Sequence, residues 1–167
     1  MSKVFSGYRT AEIDGDFVVF LIGMRVNKWW KLHKWFPVLG AMGPMIAELT
    51  RRKELGLLHY STWMSPRGPL MVQYWRSVEQ LEDFARDAAL PHRPAWKRWN
   101  RAVGESGDVG IWHETYVVHG GTYEVVYGNM PPFGLARAGR PAPLTRVTRQ
   151  AAARRAANAY PAERRAE

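Results

Sequence analysis

Five histidines and no cysteine set the chemical range of this 167-residue chain. The missing cysteine removes disulfides, thiolate nucleophiles, zinc–thiolate sites and iron–sulfur clusters together. His33, His59, His92, His113 and His119 are too widely spaced for a local metal motif, so no metal site is expected. A single imidazole can still act as a general base near neutral pH or as an axial haem ligand.

His113 is the leading base candidate. It lies in Gly107–Val118, where strand alternation sets it with Val109, Ile111, Thr115 and Val117 on a face expected to pack on the core. Glu114 falls on the opposite face with Trp112, Tyr116 and Val118, so the adjacent pair is no dyad. A core histidine satisfied by its neighbours is the competing reading. His59, also on a strand with apolar neighbours, is the second base candidate. His33 beside Lys31 and Lys34, and His119 at a turn, read as solvated; His92, between Pro91 and Pro94, reads as a loop surface or lid group.

The elements that must position these groups follow from periodicity. Residues 1–16 form an irregular arm. Phe17–Val26 is a strand apolar on both faces, so both faces must be covered. Asn27 caps a helix expected from Lys28, with Trp29, Leu32 and Phe36 on one face. Pro37 should kink or restart it, and Leu39, Met42, Met45, Ile46 and Leu49 continue inward until Glu54-Leu55-Gly56. A hairpin follows over residues 57–76 around Ser65–Gly68. Ser77 then opens a helix with Leu81, Phe84, Ala85 and Ala88 inward. A further helical piece groups Trp96, Trp99 and Val103 before the His113 strand, and residues 123–127 follow a turn as an extra strand.

This order predicts an α+β fold, a ferredoxin-like βαββαβ antiparallel sheet with helices on one face. One helical layer leaves the second face bare, and pairing of two such sheets in a homodimer is the simplest cover. The chain divides at 135/136: residues 1–135 form the folded domain, and residues 136–167 form a basic Ala/Arg/Pro-rich tail. Residues 136–147 are expected to be extended or disordered, and Gln150–Asn158 to form a marginal helix. Eight arginines against Glu163 and Glu167 place +6 of the formal +9 charge in this tail. A solubilising end is favoured over a nucleic-acid contact, because Tyr160 alone interrupts the basic run with an aromatic. The longest apolar run, Phe17–Met24, is too short to span a bilayer, and no leader is evident at Met1. A soluble, cytoplasmic protein without a membrane partner is therefore expected.

The strings Phe17–Lys31, Val72-Gln-Tyr-Trp-Arg-Ser77, Ala95-Trp96, Asn100–Gly104, Gly107–Tyr116 and Asn129-Met-Pro-Pro-Phe-Gly134 resemble a small monooxygenase-like family, similar to a fumagillin-pathway monooxygenase. That family sits in the dimeric α/β-barrel superfamily, and the likeness covers roughly residues 8–139. The resemblance implies a site between sheet and helices, but carries no settled catalytic motif with it. The leading expectation is a small-molecule monooxygenase of secondary metabolism. It would act with O₂ on an apolar or aromatic substrate, without flavin or nucleotide, since no G-x-G-x-x-G turn is present. Such chemistry asks for a base, groups for the developing oxyanion, and a dry pocket. Arg25, Asn27 and Tyr74 are candidates to polarise an oxygen, and Trp30, Trp75 and Trp99 to line the pocket, though plain core is the commoner fate of tryptophan.

Two other classes stay open. A haem protein held by His113 would be an aldoxime-dehydratase-like lyase or a haem-dependent oxygenase. A non-catalytic module would bind a hydrophobic metabolite.

Overall fold

The computed structural model describes residues 3–87, 97, 99–100, 103–146 and 149–159. The expected helix of residues 95–103 lies largely outside them, as do Trp96 and His92. Strand β1 (Tyr8–Glu12) leads into β2 (Phe17–Val26), helix α1 (Leu32–Arg51), a 3₁₀ turn (Lys53–Leu55), β3 (Leu57–Ser65), β4 (Gly68–Trp75), α2 (Val78–Arg86) and β5 (Val109–Val118). Then come β6 (Tyr127–Gly128), α3 (Leu135–Ala138), β7 (Arg140–Pro143) and α4 (Ala151–Asn158).

Strands β3, β4, β2 and β5 form, in that order, one antiparallel sheet. With α1 and α2 interposed, this is the ferredoxin-like βαββαβ arrangement that the element order predicts. Helices α1 and α2 cover one face. Met45, Ile46 and Leu49 of α1 and Leu81 and Phe84 of α2 pack on Val18, Met71 and Trp75. Each such burial contributes roughly 1.5–3 kcal/mol. The Ser77 hydroxyl accepts from Gln80 N–H at 3.3 Å and caps α2 as expected.

The helix α1 begins at Leu32, later than Lys28, and the cause is tertiary. Asn27 donates its side-chain amide to Gly107 O at 3.1 Å, while Lys28 and Lys31 both bind Asp108. These bonds hold residues 27–31 off the helix. The inward set shifts accordingly: Trp35, Val38 and Leu39 pack with Met24, Val26 and Val109, whereas Trp29, Leu32 and Phe36 are exposed. Pro37 does not restart the helix, which runs unbroken through Pro37 and Pro44. Both prolines lie on its solvent side, where the carbonyls they leave unbonded, His33 and Gly40, belong to exposed residues.

The second face has a cover of its own over half its length. The small sheet β6-β1-β7 joins the arm to the segment after β5. It buries Ala11, Ile13, Phe17, Leu135 and Ala136 against Tyr74, Val118, Tyr123, Val125 and Tyr127. The 135/136 boundary therefore cuts through α3, and residues 140–143 are a paired strand. Residues 123–126 form no strand, though Tyr123 and Val125 pack into this cluster, and only Tyr127–Gly128 pairs, with β1. Beyond, α4 is docked: Arg154, buried, binds Glu124 at 2.5 Å.

Candidate functional site

An open groove of about 670 Å³ runs between the C-terminal half of α1 and the β3–β4 edge of the sheet. Met42, Gly43, Ile46, Ala47, Thr50 and Arg51 form one wall, and Tyr60, Thr62 and Met71 the other. Small residues on α1 make the room; a Cβ on Gly43 would meet no atom within 4 Å. Thr50 donates its hydroxyl to Ile46 O at 2.7 Å. Arg51, at the mouth, is held by Glu48 at 2.6 Å, and that bond lowers the Glu48 pKa. The lining is thus apolar with a few hydroxyls and one guanidinium, suited to an apolar ligand carrying an oxygen.

Behind this wall lies a buried amide. Gln73, 3% exposed, faces the helices between Phe20 and Tyr60 on the neighbouring strands. Its Oε1 accepts from the Trp75 indole N–H at 2.9 Å, and the indole can only donate. Its Nε2 must therefore face the other way, onto Met71 Sδ at 3.2 Å, a weak acceptor at the groove surface. Sequence reasoning passed over Gln73. Its signal is a lone polar residue in the alternating stripe Met71, Gln73, Trp75.

The expected site residues fall in different places. His113 does face the helix side, against Phe20 with ring centroids 5.5 Å apart, but it is exposed rather than buried. It lies on edge strand β5, and β2 separates it from the groove. His59 and Tyr74 come together on the opposite face, their rings stacked at 6.5 Å and 17°. His59 Nε2 lies 3.4 Å from Ser61 Oγ. Burial, with help from Arg137, lowers the His59 pKa; burial, with help from Tyr127, raises that of Tyr74. Gly134 approaches so closely that a Cβ there would sit 3.1 Å from the Tyr74 hydroxyl.

The remaining candidates are structural or peripheral. Trp75 is core, packed on Phe84. Trp99 packs with Val103 and Met24, Asn27 ties the β2 end to Gly107, and Arg25 and Trp30 point to solvent. Arg25 pairs across the ladder with Gly110, while Glu114 accepts from the Tyr116 hydroxyl at 2.5 Å. Among the described residues, no tryptophan lines the groove.

Among the described residues the groove lining holds no histidine that could serve as an axial haem ligand, and neither His113 nor His59 reaches it. Among the described residues, no three His, Asp or Glu side chains cluster as a metal site would require.

Sheet and helices define a ferredoxin-like α+β protein with an open groove beside α1. Within that class, residues 17–135 match the Monooxygenase af470-like family, and the chain belongs to it. It is 29% identical over 166 residues to Monooxygenase af470 of Aspergillus fumigatus, an alignment covering 82% of this chain and 56% of that protein. The chain thus spans little more than half the length of that relative. Among solved structures, SnoaB, a cofactor-independent oxygenase from Streptomyces nogalater, overlays with a TM-score of 0.45 at 9% identity, covering 62% of this chain and 94% of its own. A dimeric ferredoxin-like protein of unknown function from Jannaschia overlays at 0.45 and 14%, covering 61% and 99%. Neither overlay assigns a residue a role.

Proposed function

We propose that this chain is a small-molecule monooxygenase whose substrate, an apolar or aromatic molecule with an ionisable oxygen, binds in the α1/β3–β4 groove. Family membership supports the reaction class, and the groove supports the substrate class. The observation that carries the reading is the Gln73 amide, fixed by Trp75 with its donor side toward the groove wall. Flavin and nucleotide play no part in this reading, because the substrate supplies the electrons. An enolate or phenolate carbanion reduces O₂; a CH₂ becomes C=O, and the second oxygen atom leaves as water.

The protein's share is to hold the anion. Gln73 Nε2, once the Met71 thioether moves aside, and the Tyr60 and Thr62 hydroxyls donate to the developing oxygen charge. Among the described residues the groove has no imidazole, so in this reading the substrate proton passes to water at the open mouth. Two copies pair through the uncovered half of the second face, where Trp63, Leu70, Gly23 and Trp112 form one cross-strand row.

The test is O₂ consumption with enolisable aromatic ketones and phenols, by purified, cofactor-stripped protein. Turnover that Tyr60→Phe and Gln73→Leu slow supports the assignment. Binding without O₂ uptake across the series would reduce the protein to a metabolite-binding module. Activity that requires added haem would sink the cofactor-free chemistry.

A further inference from the structure

One end of the sheet carries a protruding aromatic and basic surface that the groove reading does not use. Trp30 is 75% exposed, Phe36 68%, Leu32 60% and, near the end of β3, Met64 72%. These segments are tied into one region. Val26 N–H donates to Arg67 O at 2.7 Å, and the Trp35 indole donates to Trp29 O at 3.1 Å. Lys28 and Lys31 both meet Asp108, which anchors the start of β5.

The charges there are unbalanced. Arg25, Lys28, Lys31, Lys34 and Arg67 stand against Asp108, which is buried, and Glu105. From this end α1 runs on without a charged or polar residue from Trp35 to Ala47. Its outward positions Phe36, Pro37, Gly40, Gly43, Pro44 and Ala47 are nonetheless exposed. An apolar helix face in water with large aromatics and cations at its end is the pattern of an interfacial element, which lies in the headgroup layer.

We propose that this surface docks the protein on an anionic phospholipid bilayer, with Trp30, Leu32 and Phe36 inserted and the lysines at headgroup level. The occupant is a lipid surface because the protruding set includes aliphatic Leu32 and Met64, which offer nothing for a base to stack on, and because the excess charge is positive. No helix among the described residues is long and apolar enough to cross a membrane, so the attachment is peripheral. It departs from the expectation of no membrane partner. Gly43 and Ala47 belong both to the exposed face and to the groove lining, so a bilayer-dissolved substrate would enter beside the docked helix.

The experiment is co-sedimentation of the 167-residue chain with phosphatidylcholine vesicles, with and without 30% phosphatidylglycerol, alongside tryptophan emission. Trp30→Ser/Phe36→Ser is the comparison; both side chains are exposed, and circular dichroism checks its fold. Expected is binding on the order of tenfold tighter to the anionic vesicles, weakened by salt, with a blue shift in emission. The double variant should lose about tenfold in affinity. Equal binding by the variant would assign the effect to the arginine-rich tail and overturn the proposal, as would absence of vesicle binding. A change of oligomeric state in the variant would assign the surface to a second copy instead. Loss of single-stranded oligonucleotide binding without vesicle binding would assign it to nucleic acid.

Discussion

The Trp75 indole donates to Gln73 Oε1 at 2.9 Å, and that bond decides which way a buried amide points. Since the indole cannot accept, the opposite orientation would set two donors against each other. The donor half of Gln73 is thereby fixed beside Met71, which lines the groove.

Gln73→Leu should separate two functions of this amide. Losing the donor weakens binding of an oxygen-bearing aromatic such as 2-naphthol by about three- to tenfold, the cost of one hydrogen bond. Naphthalene, which offers no oxygen, should bind as before. Calorimetric titration of both ligands checks this; an equal loss for the two would mean that Gln73 only supports the packing.

His113→Ala and His59→Ala should each leave 2-naphthol binding within about twofold of wild type, because neither side chain reaches the groove. A tenfold loss in either would move the site to that histidine.

His59 should titrate below the ordinary 6.5 in a proton NMR pH series, and Arg137→Ala should bring it back upward. The sign of the linkage follows from the lowered value. The unfolded chain takes up this proton first, so stability falls as pH drops below about 6.5. His59→Gln should flatten that part of the stability profile in urea melts.

Asp108 is 1% exposed, and the Lys28 hydrogen bond, then that of Lys31, lowers its pKa to about 2 against burial, which pulls upward. Its contribution is complete above 3.8 and drains away as pH falls through about 2. Asp108→Asn should melt at a lower temperature at neutral pH. The gap to wild type should close between pH 3.8 and 2. A gap independent of pH would mean that the ion pairs are not its source.

The Trp112 indole lies across Gly23, where a Cβ would come within 2.7 Å of Nε1. Gly23→Ala should displace the ring and weaken self-association through the open half of the second face. Sedimentation equilibrium would detect it; an unchanged dimer constant would place the interface elsewhere.

Much of the large sheet was readable because its signals are local. A nearly unbroken apolar run marks β2, alternation marks β3 and β5, and Ser77 announces α2. What escaped was decided at a distance. The start of α1 depends on Asp108, some 80 residues on, so the inward stripe shifted from Trp29, Leu32 and Phe36 to Trp35, Val38 and Leu39. His113 looked buried because alternation gives a face, not whether anything covers it at an edge strand. Trp75 was expected at a pocket wall, and only packing on Phe84 distinguishes the core from it. The partial cover of the second face rests on short pairings of Tyr8–Glu12 that carry no periodic signature.

Those pairings set an order of events. The β3–β4 hairpin closes over a few residues, whereas Tyr8 must find Gly128 and Glu12 must find Arg140. Closing so long a span of chain costs entropy before any contact repays it, so the small sheet assembles after that hairpin. By the same accounting it is the first part to open in the native protein, which would bring His59 and Tyr74 to water in brief excursions while the groove stays intact.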